Sequence, residues 1–525
     1  MSSFASVTID KFIGMNTSRD ELSLIPGQLS KNNNYLYMAS GGLRERGGGA
    51  RLGSAPSAGN QIYSLSNYRN SSGSEFLICN QGTDAYYYNS GWQALSLTLT
   101  SNKKIRWAQA GKGASTALYG VNANQGVIKI SGTTPSAALV SNSPTSCFQI
   151  VKHKNRLFAI DKTTIYFTEV LDFDTWNTAN NTIDIAPGVD GDVTGIEIWG
   201  DALFIAKEYG WYVIPNAADP VPKINWAVLR ADAATGSGST DSIRRTMDGI
   251  YFLSSDNFVR KLSPAISFSS GEYTLGGSGT PIVSVPIEND LEELLEDSKK
   301  LNAQAIVHND LYILSFQTVN NASTYNDITY FADTAKHVQF EGVATLQPYW
   351  GKFSGFDYDF FTQQLSSGKV KLYGAKGSST AGEVHETLND SIHNDNSAAI
   401  RSKAILGWFP VGGESLYKKM KQVYFVGETE NWAVNIILKA YKFGQIIPTE
   451  GEGNSYTYQS TTAAQALVGT AVVGTAVLSS ISVGSSKFRT SLKGHMLRAE
   501  MENLNADEFT RIDKMIVYYR PIKNK

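Results

Sequence analysis

Few residues in this 525-residue chain could build a reaction centre. The six histidines, His153, His308, His337, His385, His393 and His495, are scattered, and the nearest two have no cysteine beside them. No HExxH or CxxC spacing brings ligands to one point, as a zinc site requires. The stretch GVDGDVTG places Asp190 and Asp192 like a fragment of a calcium loop. It lacks the further oxygen ligands and the closing glutamate, so a strand-connecting turn is expected there. Neither a GxSxG elbow nor a GxxxxGK[ST] phosphate loop occurs. The run Gly47-Gly48-Gly49 follows Arg44 and Arg46 rather than a strand and reads as a flexible turn. Glu169, Asp172 and Asp174 could supply the carboxylate pair of a glycosidase, but three acids in one turn are more often a solvated face. The expectation is a chain with no catalytic residues, no metal and no cofactor.

What such sparse chemistry leaves is architecture. Charged residues make up only 18% and hydrophobic residues 42%, which excludes a disordered chain. The 23 Phe, 26 Tyr and 9 Trp favour strands, and the 47 glycines supply turns for many short ones. The formal net charge of −2 removes any global electrostatic case for wrapping nucleic acid. Cys79 and Cys147 are too few for a disulfide framework and read as small buried hydrophobes. So few cysteines make folding in a reducing cytoplasm the expectation, and the opening MSSFASVTIDKFIG, with no basic n-region and no apolar h-region, is not expected to direct export.

The strongest internal signal is a recurring pair of apolar runs around a short break. Copies begin at Glu75 (EFLICNQGTDAYYY), Ala117 (ALYGVNANQGVIKI), Asn155 (NRLFAIDKTTIYFT), Asp201 (DALFIAKEYGWYVI) and Asp248 (DGIYFLSSDNFVRKL). Two more follow at Asn309 and Val370. The first five starts are 42, 38, 46 and 47 residues apart, the period of a blade repeat. The fold class expected is therefore all-β: a β-propeller of about six to eight blades with insertions over 61–398. Unrelated hairpins in two or more sandwiches would be the other arrangement. Residues 288–305 place Leu291, Leu294, Leu295 and Leu301 near helical spacing, with acids early and Lys299 and Lys300 late, and predict one short helix.

From about Ala399 the texture changes. Residues 399–525 read as a sandwich-like β region or a closing blade. Within it, Thr461 to Ser486 carries no charge and repeats VGTAV, which suits a hairpin or loop better than a membrane-spanning helix. Residues 1–60, polar and turn-rich, suit an arm that docks on a neighbour.

That early segment also carries a family likeness. FIGMNTSRDELSLIPGQLSKNNNYLYMASGGLRERGGGARLG, from Phe12 to Gly53, resembles the opening of short-tailed phage (podovirus) tail hub or nozzle proteins, also called phage stabilisation proteins. The matching residues are Phe12, Gly14, Asn16, Asn34, Tyr35, Gly41, Gly42, Leu43, Arg46 and Gly47, with Arg44 between them. A central stretch, from KNRLFAIDKTTIYFTEVLDFDTW to DALFIAKEYGWYVI, and the closing SLKGHMLRAEMENLNADEFTRIDKMIVYYR are similar to the family's middle and end. Two departures stand out: GGA follows the opening motif where a proline or β-branched residue is commoner, and the 461–486 insertion has no counterpart.

The resemblance implies a virion protein, a homohexameric ring below the portal and adaptor that extends the DNA channel and anchors tail fibres or spikes. Its partners would be copies of itself, the portal-adaptor ring, the fibres or spikes, and genomic DNA passing through the lumen. Contact with the host envelope through 461–486 is a further expectation. Arg44 and Arg46 would pair with carboxylates or face phosphates in the lumen, with solvated arginines the plainer reading. The alternative function is a carbohydrate-binding or carbohydrate-cleaving β-propeller, with Trp92, Trp107, Trp199, Trp211 and Trp350 available to stack on sugars. Of the S-x-D-x-G-x-T-W boxes of sialidase-like propellers, only Asp174-Thr175-Trp176 is present, once.

Overall fold

The computed structural model describes residues 4–57, 60–100, 103–215, 217, 226–232, 235–263, 265–269, 272–276, 279–323, 325–376, 382–411, 417–429, 433–441, 454–459, 483–489, 493–503 and 510–522. Its regular structure is almost all antiparallel strand. Seven sheets, I to VII, follow one another in the chain. Their first strands are Ile62–Arg69, Arg106–Ala110, Gln149–His153, Val193–Trp199, Arg244–Arg245, Gln304–His308 and Phe360–Ser366. In each sheet the first three strands pair in the order in which they occur. The seven hairpins legible in the sequence fall on the second and third strands of the seven sheets.

These strands are apolar on both faces because each sheet is covered on both. In Ala202–Lys207, Leu203 and Ile205 join the core shared with sheet III, while Ala202, Phe204 and Ala206 join the core shared with sheet V. Alternate side chains of a strand point to opposite faces, so one run of apolar residues serves two neighbours. The same division repeats from I to VII, and the last core returns to the first. Phe360, Tyr373 and Ala375 of sheet VII pack with Ile62, Leu65 and Cys79 of sheet I. The seven first strands touch in the same cyclic order, with Phe360–Ser366 against Ile62–Arg69.

Closure uses the start of the chain. Sheet VII takes its outer strand from Gly48–Arg51, which pairs antiparallel with Glu383–Asn389 through His385 opposite Arg51 and Asn389 opposite Gly48. Leu29–Asn33 pairs parallel with Gln347–Phe353 of sheet VI and antiparallel with Ser402–Leu406, so sheet VI continues into the C-terminal region. A further sheet combines Ala5–Ile9, Tyr35–Tyr37 and Leu43–Glu45 with Thr510–Pro521 and Lys418–Thr429. It shares one core with the extended sheet VI, in which Leu43, Met420, Val423 and Val517 meet Leu29, Leu406, Leu438 and Leu497. The described part of residues 1–60, the segment expected as a docking arm, supplies strands to the chain's own sheets. Its polar sequence reflects turns between short strands.

The expected helix over 288–305 is shorter. An α-helix spans Glu288–Leu294, Leu295 is extended and bridges Thr318, and Asp297–Asn302 forms 3-10 turns. Leu291 is buried as the spacing implies, but Leu301 is exposed. Tertiary anchoring overrides the periodicity: Lys299 Nζ donates to Asn321 O at 2.7 Å and Lys300 Nζ to Ser255 O at 2.7 Å. Of the uncharged 461–486 stretch, 461–482 lies outside the described residues, and the remainder begins the strand Val483–Arg489.

The closing strand sets a steric demand. A Cβ on Gly48 would stand 2.1 Å from Asn394 O, closer than any side chain tolerates. Gly48→Ala is expected to lower stability by about 2 kcal/mol in urea unfolding, in the range of overpacking costs. Gly91→Ala, with nothing within 4 Å of its Cβ, should leave the midpoint unchanged.

Candidate functional site: the Arg46 junction and the axial cavity

Two places concentrate polar groups inside the molecule. The first is the junction where the N-terminal segment meets sheets VI and VII. Arg46, expected to pair with a carboxylate, to face a lumen or, most plainly, to be solvated, is 1% exposed and takes the first of these roles. Its guanidinium has five N–H donors, and all are used. Nε donates to Asn34 Oδ1 at 2.9 Å. Nη1 donates to Gly47 O at 3.1 Å and Asp395 Oδ1 at 3.0 Å. Nη2 donates to Ser354 O at 3.1 Å and to Asp395 Oδ2. The rings of Phe353 and Phe356 lie 5.8 and 5.4 Å from the guanidinium carbon.

Asn34 is equally saturated. Its Nδ2 donates to Ser354 Oγ at 2.7 Å and Arg401 O at 2.9 Å, and its Oδ1 also accepts from the Ser354 N–H at 2.9 Å. It sits at φ +64°, a left-handed conformation that asparagine tolerates better than most residues. One amide and one guanidinium therefore tie together the end of sheet VI, the loop after sheet VII and the entry to the C-terminal region.

The other motif residues lie along the same N-terminal segment. Gly14, at φ +69°, passes its carbonyl to Leu29 N–H at 3.0 Å. Asn16 Oδ1 caps the turn by accepting from the N–H groups of Ser18 and Arg19 at 3.0 and 3.1 Å. Tyr35 and Leu43 are fully buried. Gly41 is at φ +95°, where a Cβ would meet Asp10 O at 2.6 Å. Gly42 and Gly47 lie against the backbones of Ile512 and Asn389, at 2.6 and 2.5 Å from a notional Cβ. Arg44 reaches Asp390 at 3.0 Å from a half-exposed position. Apart from Arg44, these residues serve packing or turn roles.

Glu45 lies beside them, 2% exposed. Its carboxyl accepts from Ser402 Oγ and, at 3.2 Å, from Asn503 Nδ2. Burial pushes its pKa up to about 8, although these hydrogen bonds and the Arg46 charge oppose the rise.

The second place is the axis. The seven first strands enclose a cavity of about 510 Å³ lined by Lys104, Arg106, Glu197, Asp241, Arg244 and Arg245 among others. Arg106 grips Asp241 through Nε and Nη2, each at 2.6 Å, and Lys104 Nζ stands 3.6 Å from the same carboxylate. The surrounding cations hold the Asp241 carboxyl well below its usual range despite its burial. None of these residues was singled out in the sequence. The available signal was a short polar or basic stretch just ahead of each hairpin, such as Arg244-Arg245 before the run at Asp248.

The remaining candidates disperse. Asp190 accepts from Tyr212 Oη at 2.6 Å and pairs with Arg230, whereas Asp192 pairs with Lys162 at 2.9 Å, so the two carboxylates diverge within a turn. Asp174 pairs with Lys129 and accepts from Tyr119 Oη at 3.0 Å, and Asp172 caps its own turn through Thr175 Oγ1. Among the described residues no three metal-ligating side chains converge, and no helix is long and apolar enough to cross a membrane. Both cysteines are buried, and burial raises their thiols. Trp211 and Trp350 are in the core; Trp107 faces the axial cavity, and Trp199 packs under Arg245 near it.

No family model and no curated protein matches this chain. Among solved structures it is similar to the computationally designed protein Ika8, at 10% identity and a TM-score of 0.35, over 64% of this chain and 99% of that one. It is also similar to the extracellular domain of a one-component system from B. thetaiotaomicron, at 10% identity and a TM-score of 0.36, over 72% of this chain and 43% of that one. Likenesses this distant carry no argument about function.

Two outcomes test the junction. Arg46→Lys, with three donors for five acceptor contacts, is expected to lose about 3 kcal/mol of unfolding free energy, because it leaves buried acceptors unpaired. A loss under about 0.5 kcal/mol in urea unfolding would contradict the clamp. For Glu45 the sign follows from its raised folded pKa. Its contribution is complete below about 4.5, the unfolded value, and is lost as pH rises toward about 8. The slope is about 1.4 kcal/mol per pH unit inside that window. Glu45→Gln should remove this part of the pH dependence, read as the difference between the two proteins' urea midpoints from pH 5 to 9.

Proposed function

We propose that this chain is a seven-bladed β-propeller that serves as a ring-forming structural subunit of a phage tail. In this reading it sits below the portal and adaptor, extends the DNA channel and presents its outer loops to fibres or spikes. The propeller is supported by the cyclic order of the seven sheets and by their seven shared cores, the last of which returns to sheet I. Radial packing of this kind protects sheet edges without a thick core.

The observation that carries the tail reading is where the family-like residues fall. Asn34 and Arg46 form one buried cluster, Tyr35 and Leu43 are core residues, and Gly14, Asn16, Gly41, Gly42 and Gly47 hold turns and close backbone approaches around the N-terminal segment. A pattern shared by a family of scaffolds should consist of the residues the scaffold depends on, and this one does. A rigid frame with variable loops is also what ring assembly through heterologous contacts needs.

A second reading, a carbohydrate-binding propeller, is favoured by Trp107 at the axial cavity and Trp199 near it. Electron microscopy of the purified protein over a range of concentrations separates the two. Closed rings of uniform size are expected. A monomer at every concentration that binds cell-surface polysaccharide on a glycan array would replace the tail reading with the second.

A further inference from the structure

The axial cavity holds more positive charge than its own side chains neutralise. Four cations line it, Lys104, Arg106, Arg244 and Arg245, against two acids, Asp241 and Glu197. Arg106 and Asp241 satisfy each other through a two-pronged pair, and the third Arg106 nitrogen, Nη1, donates to Phe148 O at 2.9 Å. Lys104 Nζ also stands 3.6 Å from the Asp241 carboxylate, which leaves Arg244 and Arg245 with Glu197 as the remaining acid of the lining.

The two adjacent arginines are held but not neutralised. Arg244 donates from Nε to Ala305 O and from Nη1 to Ile243 O, both at 2.7 Å, which fixes its plane with two neutral acceptors. Among the described residues neither Arg244 nor Arg245 has a carboxylate within ion-pair distance. Arg245 instead lies over the Trp199 ring, 5.2 Å from its centroid, at the exposed mouth of the cavity. Glu197 turns back to accept from the Ile198 N–H at 2.9 Å, and burial raises its carboxyl, although this hydrogen bond and the Arg244 and Arg245 charges oppose the rise. Cations gathered in a recess and oriented by neutral carbonyls favour an anion that brings its own oxygens. The volume, about 510 Å³, is within the range of small-molecule sites.

We propose that the axial cavity is a binding site for a small multivalent oxyanion, held by Arg244 and Arg245 with Lys104 contributing charge. Phosphate esters and polycarboxylates share this chemistry. The site lies within a single chain and stands whether or not copies assemble into a ring.

Isothermal titration of the full-length protein with sodium pyrophosphate, and separately with citrate, tests it. Saturable binding of at least one anion is expected, weakening as sodium chloride rises. Arg245→Gln, at an exposed position where the fold is not at stake, should weaken binding about tenfold, and Arg244→Gln by a similar factor. Lys162→Gln removes an exposed cation elsewhere and should change nothing. Whichever anion binds more tightly assigns the ligand to phosphate esters or to polycarboxylates, and lactose, a neutral sugar, should give no heat. The proposal is overturned if neither anion binds saturably, if Arg245→Gln binds as the unaltered protein does, or if lactose competes equally well.

Discussion

The Arg46–Asp395 pair fastens the start of the chain to the loop that follows sheet VII. A ring of sheets made from one continuous chain has to be closed by some element that belongs to both its beginning and its end. Here that element is Gly48–Arg51, and the guanidinium two residues ahead of it fixes the strand in place. A planar fork with five donors can bond a carboxylate, two backbone carbonyls and an amide at once, and no other side chain offers that geometry. Burying such a pair costs solvation, so its gain is greater in specifying one register than in raw stability. The register is what matters: a one-residue slip of the closing strand would turn each of its side chains to the wrong face.

The glycines follow from the same constraint. Once Arg46 anchors the segment against the loop that ends in Asp395, the backbone at Gly47 and Gly48 has to run against Asn389 and Asn394 with no room for a Cβ. Glycine there answers steric exclusion rather than a need for flexibility. The run Gly47-Gly48-Gly49 read as a flexible turn from sequence alone, and in the fold it borders and enters a strand. The consequence for folding is a non-local pairing, that of residues 48–51 with residues 383–389. Contacts of such long sequence separation make folding slow.

How far the sequence displayed this fold depended on how local each signal was. The second and third strands of every sheet were legible because they are buried on both faces and form dense apolar runs around a tight turn, as at Leu203–Ala206 and Trp211–Ile214. The first strands were not, since they line the axis and carry mixed residues such as Arg106, Gln149 and Glu197. Arg46 stood out within its motif, yet its burial was invisible because Asp395 lies 349 positions away. The helix after Glu288 showed the opposite failure. Its local pattern was strong, but Lys299 and Lys300 are held by loops of neighbouring sheets, and the chain leaves helical geometry at Leu295.

The polar axis is itself a product of the packing. Each sheet buries its two faces against lateral neighbours, so the side chains of the first strands that point inward meet no opposing sheet and cannot form an apolar core. They surround a space too wide to close, where charged groups keep access to water and to one another. Arg106 and Asp241 show one solution, an internal pair that neutralises itself across sheets II and V. Arg244 and Arg245 show the other, cations braced by carbonyls and an indole, with no carboxylate within ion-pair distance among the described residues. A frame that needed only rigidity could have filled these positions with uncharged side chains of similar length. The retained surplus of charge at the one place where seven strands converge is what gives the axis a chemistry separate from that of the frame.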